Sequence, residues 1–363
     1  MTSKTSDRRR APRGRSSGQD GFVLVAVLAL LVVLALLASA VALISQRAVA
    51  ETQTEIERFQ SDVDMVSTRD TVLFMLSTQR KTMGGLTVDE TRGPTSTGGD
   101  ILDGPSALPI GNEIRLDNTA YRGLGNVHFS LLDERGLISP NWVAPSVMQR
   151  FYEQRGVPAH EWAGLEAKRL DYQDPDPLHR LGGAEEDHYL KAGKRPPTNR
   201  AMSTPLELRQ VMGWDDLLKG LDDEQVLNLF SIGQTSVINL NSASAPVLSL
   251  VPGMDAAQAE RLVTLRNATP MTSTWDVISL FPATAAFEDI FVLFSNPSGN
   301  LTLWDGRLGA KRLTHWSLTP LDEAGRPWRI DYEVILPRGK ESAQALARTP
   351  ATPLFPAAAQ AGP

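Results

Sequence analysis

Residues 21–44 read GFVLVAVLALLVVLALLASAVALI. Phe22 through Ala38 is apolar without interruption, and after Ser39 the run resumes through Ile44, giving 23 residues without a charge. At a rise of about 1.5 Å per residue, a helix of that length spans a hydrocarbon core of roughly 30 Å. By length, 22–44 is a transmembrane helix. A cleaved secretory signal would have an apolar core of only about 7 to 15 residues followed by small residues. Here the core is longer, and Ser39 to Ala42 offers only a weak cleavage site. No Gly or Pro occurs from Phe22 to Met83, and Ile56, Phe59, Val63, Val66, Leu73 and Leu76 recur at helical spacing with charges between them. The membrane helix is therefore expected to continue as an amphipathic helix over 45–83.

Charge divides the chain at the same place. Lys4, Arg8, Arg9, Arg10, Arg13 and Arg15 outweigh Asp7 and Asp20 in residues 1–21, a basic leader of +4 that leaves −10 for the remainder of a chain of net −6. Arginines just before a span stay cytoplasmic, so the carboxy-terminal body belongs across the membrane. An acidic body argues against nucleic acid as a partner, because phosphate binding needs a positive surface. With 363 residues and 42% apolar content, the chain can bury two or three folded cores. It has no cysteine, which excludes disulfides, thiolate catalysis and Cys-based metal sites.

The body reads as α+β. Residues 84–142 are rich in turn residues with short apolar pieces, and Val127–Leu132 followed by Gly136 and Leu137-Ile138 suggests a hairpin. Residues 143–280 turn helical, with candidate helices at 147–155, 161–170, 205–212, 222–230, 245–250 and 256–266. Within them Val237–Ala243 leads into two short helices joined at Pro252-Gly253, the outline of a helix-hairpin-helix unit. Its apolar residues Val247, Leu248, Leu250, Leu262 and Leu265 suit a core, and Asn239 and Asn241 suit backbone turns. Strands return over 281–338, at 301–304, 312–318 and 328–336, with Asp322–Arg326 as a turn. The Ala/Pro-rich tail over 339–363 is expected to be disordered.

Two acidic stretches lie close together. Asp171, Asp174 and Asp176 precede Glu185, Glu186 and Asp187, on a loop rich in Pro and Gly. Such a loop is either solvated or, because hard oxygen ligands suit it, a Ca²⁺ site; the spacing is not that of an EF-hand. Catalytic signatures are missing. The five histidines form no H-E-x-x-H pair, and neither a nucleophile elbow nor a phosphate-binding glycine loop occurs. Acid pairs such as Asp215-Asp216 and Asp222-Asp223 suit helix starts. The expectation is a protein that is not an enzyme.

A basic leader ending in Gly21, then Phe22 and a long helix that is apolar first and amphipathic later, resembles the type IV prepilin class. The resemblance implies cleavage on the cytoplasmic side between Gly21 and Phe22 by a prepilin peptidase, and methylation of Phe22. Most members of that class carry glutamate at the fifth mature position, where this chain has Ala26. That departure, the acidic turn before Ser139-Pro140-Asn141-Trp142, the 171–189 acidic segments, Asn199–Met202, Glu207–Arg209 and the Ile-Asn-x-Asn stretch resemble the minor pseudopilin K of type II secretion; Pro140 departs from that pattern. The resemblance implies a pilin-like antiparallel sheet with a large helical insertion, and a place at the pseudopilus tip, where assembly for export across the outer membrane begins. It implies I- and J-type pseudopilins and the inner-membrane secretion platform as partners, a single-pass inner-membrane anchor with a periplasmic body, and structural Ca²⁺ on Asp171, Asp174, Asp176, Glu185, Glu186 and Asp187. Rival readings are a minor pilin that contacts DNA through its helical hairpin and a membrane-tethered periplasmic hydrolase.

Overall fold

A computed structural model describes residues 20–88, 107–306, 311–321, 325, 327–337, 349–352 and 354–355. The chain divides into two compact units at Gln60/Ser61. The first helix, α1 (Asp20–Thr78), crosses that boundary in sequence. It is the one described helix long and apolar enough to cross a membrane.

In the first unit every described side chain from Phe22 to Gln60 is exposed, including the whole apolar run. Ser39, the run's one hydroxyl, donates to the carbonyl of Ala35 at 2.8 Å, and so offers no unpaired polar group to a hydrocarbon environment.

In the second unit α1 is amphipathic. Met65, Val72, Leu73 and Leu76 are buried against a five-stranded antiparallel sheet, while Val63, Val66 and Phe74 stay exposed. After β1 (Lys81–Thr82) and β2 (Gly85–Leu86), a small hairpin, the sheet is built from β3 (Asp117–Arg122), β4 (Val127–Asp133), β7 (Ser298–Asp305), β8 (Lys311–Leu318) and β9 (Trp328–Leu336) in the order β3-β4-β7-β8-β9. Phe129, Leu131, Leu301, Leu303 and Trp316 supply the face that meets α1, by the two-residue alternation of strands. On the other face Leu313, Tyr332 and Leu336 meet Leu227.

The hairpin expected at Gly136 does not form. Glu134–Gly136 is a 3-10 turn, and Ile138 bridges in parallel to Phe230 instead of returning along β4. β4 pairs with β7, from Val127↔Asp305 to Asp133↔Gly299. Everything between them is an insertion within one strand pair. It contains α2 (Pro145–Gln154), α3 (Trp162–Asp171), α4 (Glu186–Lys191), α5 (Trp214–Leu217), α6 (Asp223–Leu227), α7 (Ala245–Leu248), α8 (Ala256–Ala268) and α9 (Thr274–Leu280), with β5 (Ile238–Asn239) paired in parallel to β6 (Phe291–Val292). Its core runs from Ile138 to Leu293, past the expected end at 280, and centres on Phe151, Tyr152, Trp214 and Phe230. Phe151 meets Phe230 edge-on, with centroids 5.2 Å apart. Expected helix 205–212 is a 3-10 turn over Pro205–Gln210.

The tail also departs from expectation. Arg122 N donates to the carbonyl of Pro350 at 3.0 Å, and Phe355 is buried on Phe129, centroids 5.7 Å apart. The leader up to residue 19, most of the 322–326 turn and most of the tail lie outside the described residues.

Candidate functional site

Three places in this chain combine chemistry with position. The first is the acidic loop between α3 and α4. Asp171, the last residue of α3, is fully buried and accepts from the backbone N–H of Ala184 (3.0 Å) and of Arg180 (3.1 Å). Arg180 Nη1 donates to Asp171 Oδ1 at 2.6 Å and also to Asp174. Gly183 is required there, since a Cβ would run into the Asp171 carboxylate. Glu185, buried, precedes α4; burial first, and then the charges of Asp171, Asp174 and Asp176, push its carboxyl above the usual range. Asp174 Oδ1 and Glu185 Oε1 are buried without a hydrogen-bond partner. Glu186 and Asp187 are exposed in the first turn of α4, where Asp187 lies 3.9 Å from Lys191. The structure thus joins Asp171 and Asp174 through Arg180, keeps Glu185 buried with Asp176 within electrostatic reach, and leaves Glu186 and Asp187 in solvent.

Among the described residues, no three His, Asp or Glu side chains converge as a metal centre requires. The cation that Asp171 and Asp174 share is the Arg180 guanidinium.

The second place is the joint where the insertion leaves and rejoins the sheet. Asp133, at the end of β4, accepts from Asn239 Nδ2 (2.8 Å), Ser242 Oγ (3.0 Å) and the N–H of Asn296 (2.7 Å). Glu134 is also buried and accepts from Ser231 Oγ and, at 2.5 Å, from His315 Nε2. His315 Nδ1 donates to Asp331 at 2.9 Å. Burial opposes charge on this imidazole, yet its hydrogen bonds to Asp331 and Glu134 and their charges prevail and raise its pKa to about 9. Asp331 in turn is held well below the usual carboxylate range, since the hydrogen bonds from His315, Ser317 and Arg329 outweigh its burial. Lys81 donates to Asn296 O at 3.1 Å and lies over the Trp316 ring; burial lowers its pKa to about 8 against the pull of Asp133.

The third place is the helical pair. Asn241 bonds Met271 through both its atoms, donates to Leu293 O at 3.0 Å, and so ties β5 to the chain on either side of α9. α7 and α8 turn at Gly253, whose φ of +85° suits glycine. A Cβ at that turn would strike the carbonyl of Ala283, so the hairpin backbone is covered by the chain itself. Met254 and Val251 are buried, and Arg150 caps the carbonyls of Ser249 and Met254. A phosphate-binding hairpin needs free backbone N–H groups at its tip, and this one faces protein.

Residues 238–292, which begin at β5 and end at β6, match the family model described as type II secretion system, protein K. This segment is what the chain shares with the type II secretion protein K family. A similar solved chain comes from the crystal structure of the GspK-GspI-GspJ complex of the enterotoxigenic Escherichia coli type 2 secretion system. Identity to it is 14% and the TM-score 0.46, over 78% of this chain and 99% of that one. No curated protein matches.

The K-family segment therefore coincides with the part of the insertion that bonds Asp133. Asn239 and Asn241 were legible as turn-fixing residues, and the structure adds that Asn239 reaches back to the sheet. His315 gave no signal in the sequence, because a lone histidine in a strand has no spacing to read. Arg180 did give one: it is the one Lys or Arg between Asp171 and Asp187.

Proposed function

We propose that this chain is a minor pseudopilin at the tip of the type II secretion pseudopilus, where it starts fibre assembly for export across the outer membrane. The observation that carries this reading is an N-terminal span of 22–44 on a chain whose insertion bears the K-family segment. In this reading the leader is removed after Gly21, Phe22 becomes the methylated amino terminus, and the helix stays in the inner membrane with the body in the periplasm. I- and J-type pseudopilins, as in the similar solved complex, are the partners, with the prepilin peptidase and the inner-membrane platform.

Ala26 lies at the fifth mature position, where a carboxylate would cost a few kcal/mol in the bilayer unless a neighbour's amino terminus paired with it. A subunit without that carboxylate offers no such pairing to one placed above it, which suits a tip. The exposed Val63, Val66 and Phe74 on the outer face of α1 suit packing beside other pseudopilin helices. The role is structural rather than catalytic. The expected Ca²⁺ is not part of this reading, because the charge of Asp171 and Asp174 is already met by Arg180.

The test is the intact mass and amino-terminal sequence of the protein from cells with and without prepilin peptidase. A chain starting at methylated Phe22 only when the peptidase is present supports the reading. An uncut chain, or one cut after Ala40 or Ala42, removes it.

A further inference from the structure

A hollow of about 520 Å³ opens between α2 and α3 of the insertion. That is the size of a ligand pocket, and most of its wall is apolar, from Val143, Met148, Tyr152, Trp162 and Leu170. The Tyr152 and Trp162 rings have centroids 6.4 Å apart. Trp162 Nε1 donates to the carbonyl of Val157 at 2.9 Å, which holds the indole as a fixed wall.

The polar floor is one carboxylate and the groups that bind it. Glu166 Oε2 accepts from Arg169 Nε at 3.2 Å and from Arg169 Nη2, while Oε1 accepts from the Tyr152 hydroxyl. Burial, followed by the charge of Glu166, pushes the Tyr152 hydroxyl far above its ordinary value, so it stays a donor. A carboxylate oxygen has two lone pairs, so Oε1 has room for a second donor. The two charged partners differ in access: the side chain of Glu166 is 30% exposed and that of Arg169 4%. An incoming group therefore meets the acid and not the base.

The surroundings carry the same sign. Glu153, exposed, follows Gln149 of the pocket wall by one turn of α2, and Glu161, also exposed, directly precedes Trp162. The nearby bases are turned elsewhere. Arg150 caps the carbonyls of Ser249 and Met254, Arg155 those of Leu217 and Lys219, and Lys168 reaches towards Gly213. Aromatic rings beside a carboxylate, under an acidic rim, complement a cation on an apolar stem, which is how an arginine or lysine side chain is built.

We propose that this pocket is the docking site for a basic, extended segment of a partner protein, whose arginine or lysine lays its stem along Trp162 and brings its head to Glu166. The hollow is larger than one side chain, so apolar residues next to that base fill the remainder against Met148 and Leu170. The charge complementarity selects the partner, and the apolar wall supplies the area to hold it.

The experiment titrates blocked pentapeptides into the full chain in detergent micelles by calorimetry, with arginine, glutamine or glutamate placed between two leucines. The arginine peptide should bind about tenfold more tightly than the glutamine peptide, from a cation–π contact and a part-exposed ion pair together, and the glutamate peptide should not bind. That preference should shrink as salt is raised. Ala163→Arg, at an exposed position of the pocket wall, should abolish binding of the arginine peptide, and Glu166→Gln should reduce it to the level of the glutamine peptide. Should Glu166→Gln fail to fold, because it takes the carboxylate from the buried Arg169, the exposed pair Glu153→Gln and Glu161→Gln carries the same test with a loss of about threefold. Equal binding of the arginine and glutamine peptides, or no binding by any of the three, would overturn the proposal. Arginine-peptide binding that survives Ala163→Arg would overturn it as well, by placing the contact elsewhere on an acidic surface.

Discussion

Raising the pH from 6.5 to 8 should destabilise this protein, and a single imidazole is the reason. His315 has a side chain 5% exposed and lies between Glu134 and Asp331, stacked on Tyr332 with centroids 4.9 Å apart. Its folded pKa of about 9 lies above the ordinary 6.5. The folded state therefore holds a proton that the unfolded state has released, so this stabilisation is complete below pH 6.5 and is lost as the pH rises through 9. Each pH unit of that window is worth about 1.4 kcal/mol, or about 2 kcal/mol between pH 6.5 and 8. Lys81 then acts in the opposite sense. Its pKa falls from 10.5 to about 8, so above pH 8 the unfolded state binds the extra proton and stability rises with pH. From pH 8 to 9 the two slopes offset each other, and the curve should flatten instead of falling further. Lys81 is part-buried, so solvent screening makes its arm the weaker.

The assay is urea unfolding of the full chain in micelles, followed by the fluorescence of its seven tryptophans from pH 6 to 9.5. Two variants separate the arms. Lys81→Met should extend the fall to about 3 kcal/mol by pH 9, and His315→Gln should abolish it. A parent whose stability is flat between pH 6.5 and 8, or a fall that persists in His315→Gln, would refute the reasoning.

Other perturbations test the joint, the helical turn and the tail. Asp133→Ala should cost about 3 kcal/mol or more in urea unfolding, because it strands Asn239, Ser242 and the Asn296 N–H without an acceptor. Asp133→Asn, which keeps an acceptor oxygen, should cost less. Gly253→Ala should lower stability by more than about 2 kcal/mol, since it meets both a φ of +85° and the Ala283 carbonyl; an unchanged unfolding midpoint would show that the α7–α8 turn is looser than described. Phe355→Ala should cost about 3 kcal/mol, whereas a tail that merely trails in solvent would lose nothing.

Much of this architecture is legible in local patterns. The uncharged run 22–44 specifies its helix unaided, because 23 apolar residues without Gly or Pro leave little alternative. The alternation of Trp328–Leu336 specifies β9 to the residue, and the candidate helices at 147–155, 161–170 and 256–266 appear within a residue or two of their observed bounds. Asp222 and Asp255 cap α6 and α8 as acidic residues at helix starts should. In each case the signal and the structure lie within one turn or strand.

What only the tertiary structure decided involves partners distant in sequence. Gly136 resembles a hairpin turn, yet β4 finds its partner in β7, because both faces of β4 are buried and only the long-range pairing closes the sheet beneath α1 and the insertion. Phe355 belongs to a compositionally disordered tail, but one aromatic ring in the β3–β4 core fixes it. Six carboxylates within a short segment looked equivalent as potential ligands. Burial separates them: Asp171 and Glu185 are inside, Glu186 and Asp187 face water, and Arg180 holds Asp171 and Asp174. The sequence by itself determined the long apolar helix, the α+β order and the acidity of the loop, since these follow from hydrophobicity, propensity and charge along the chain. Which strand pairs with which, and which cation an acid meets, depend on free energies of burial that exist only once distant segments share a core.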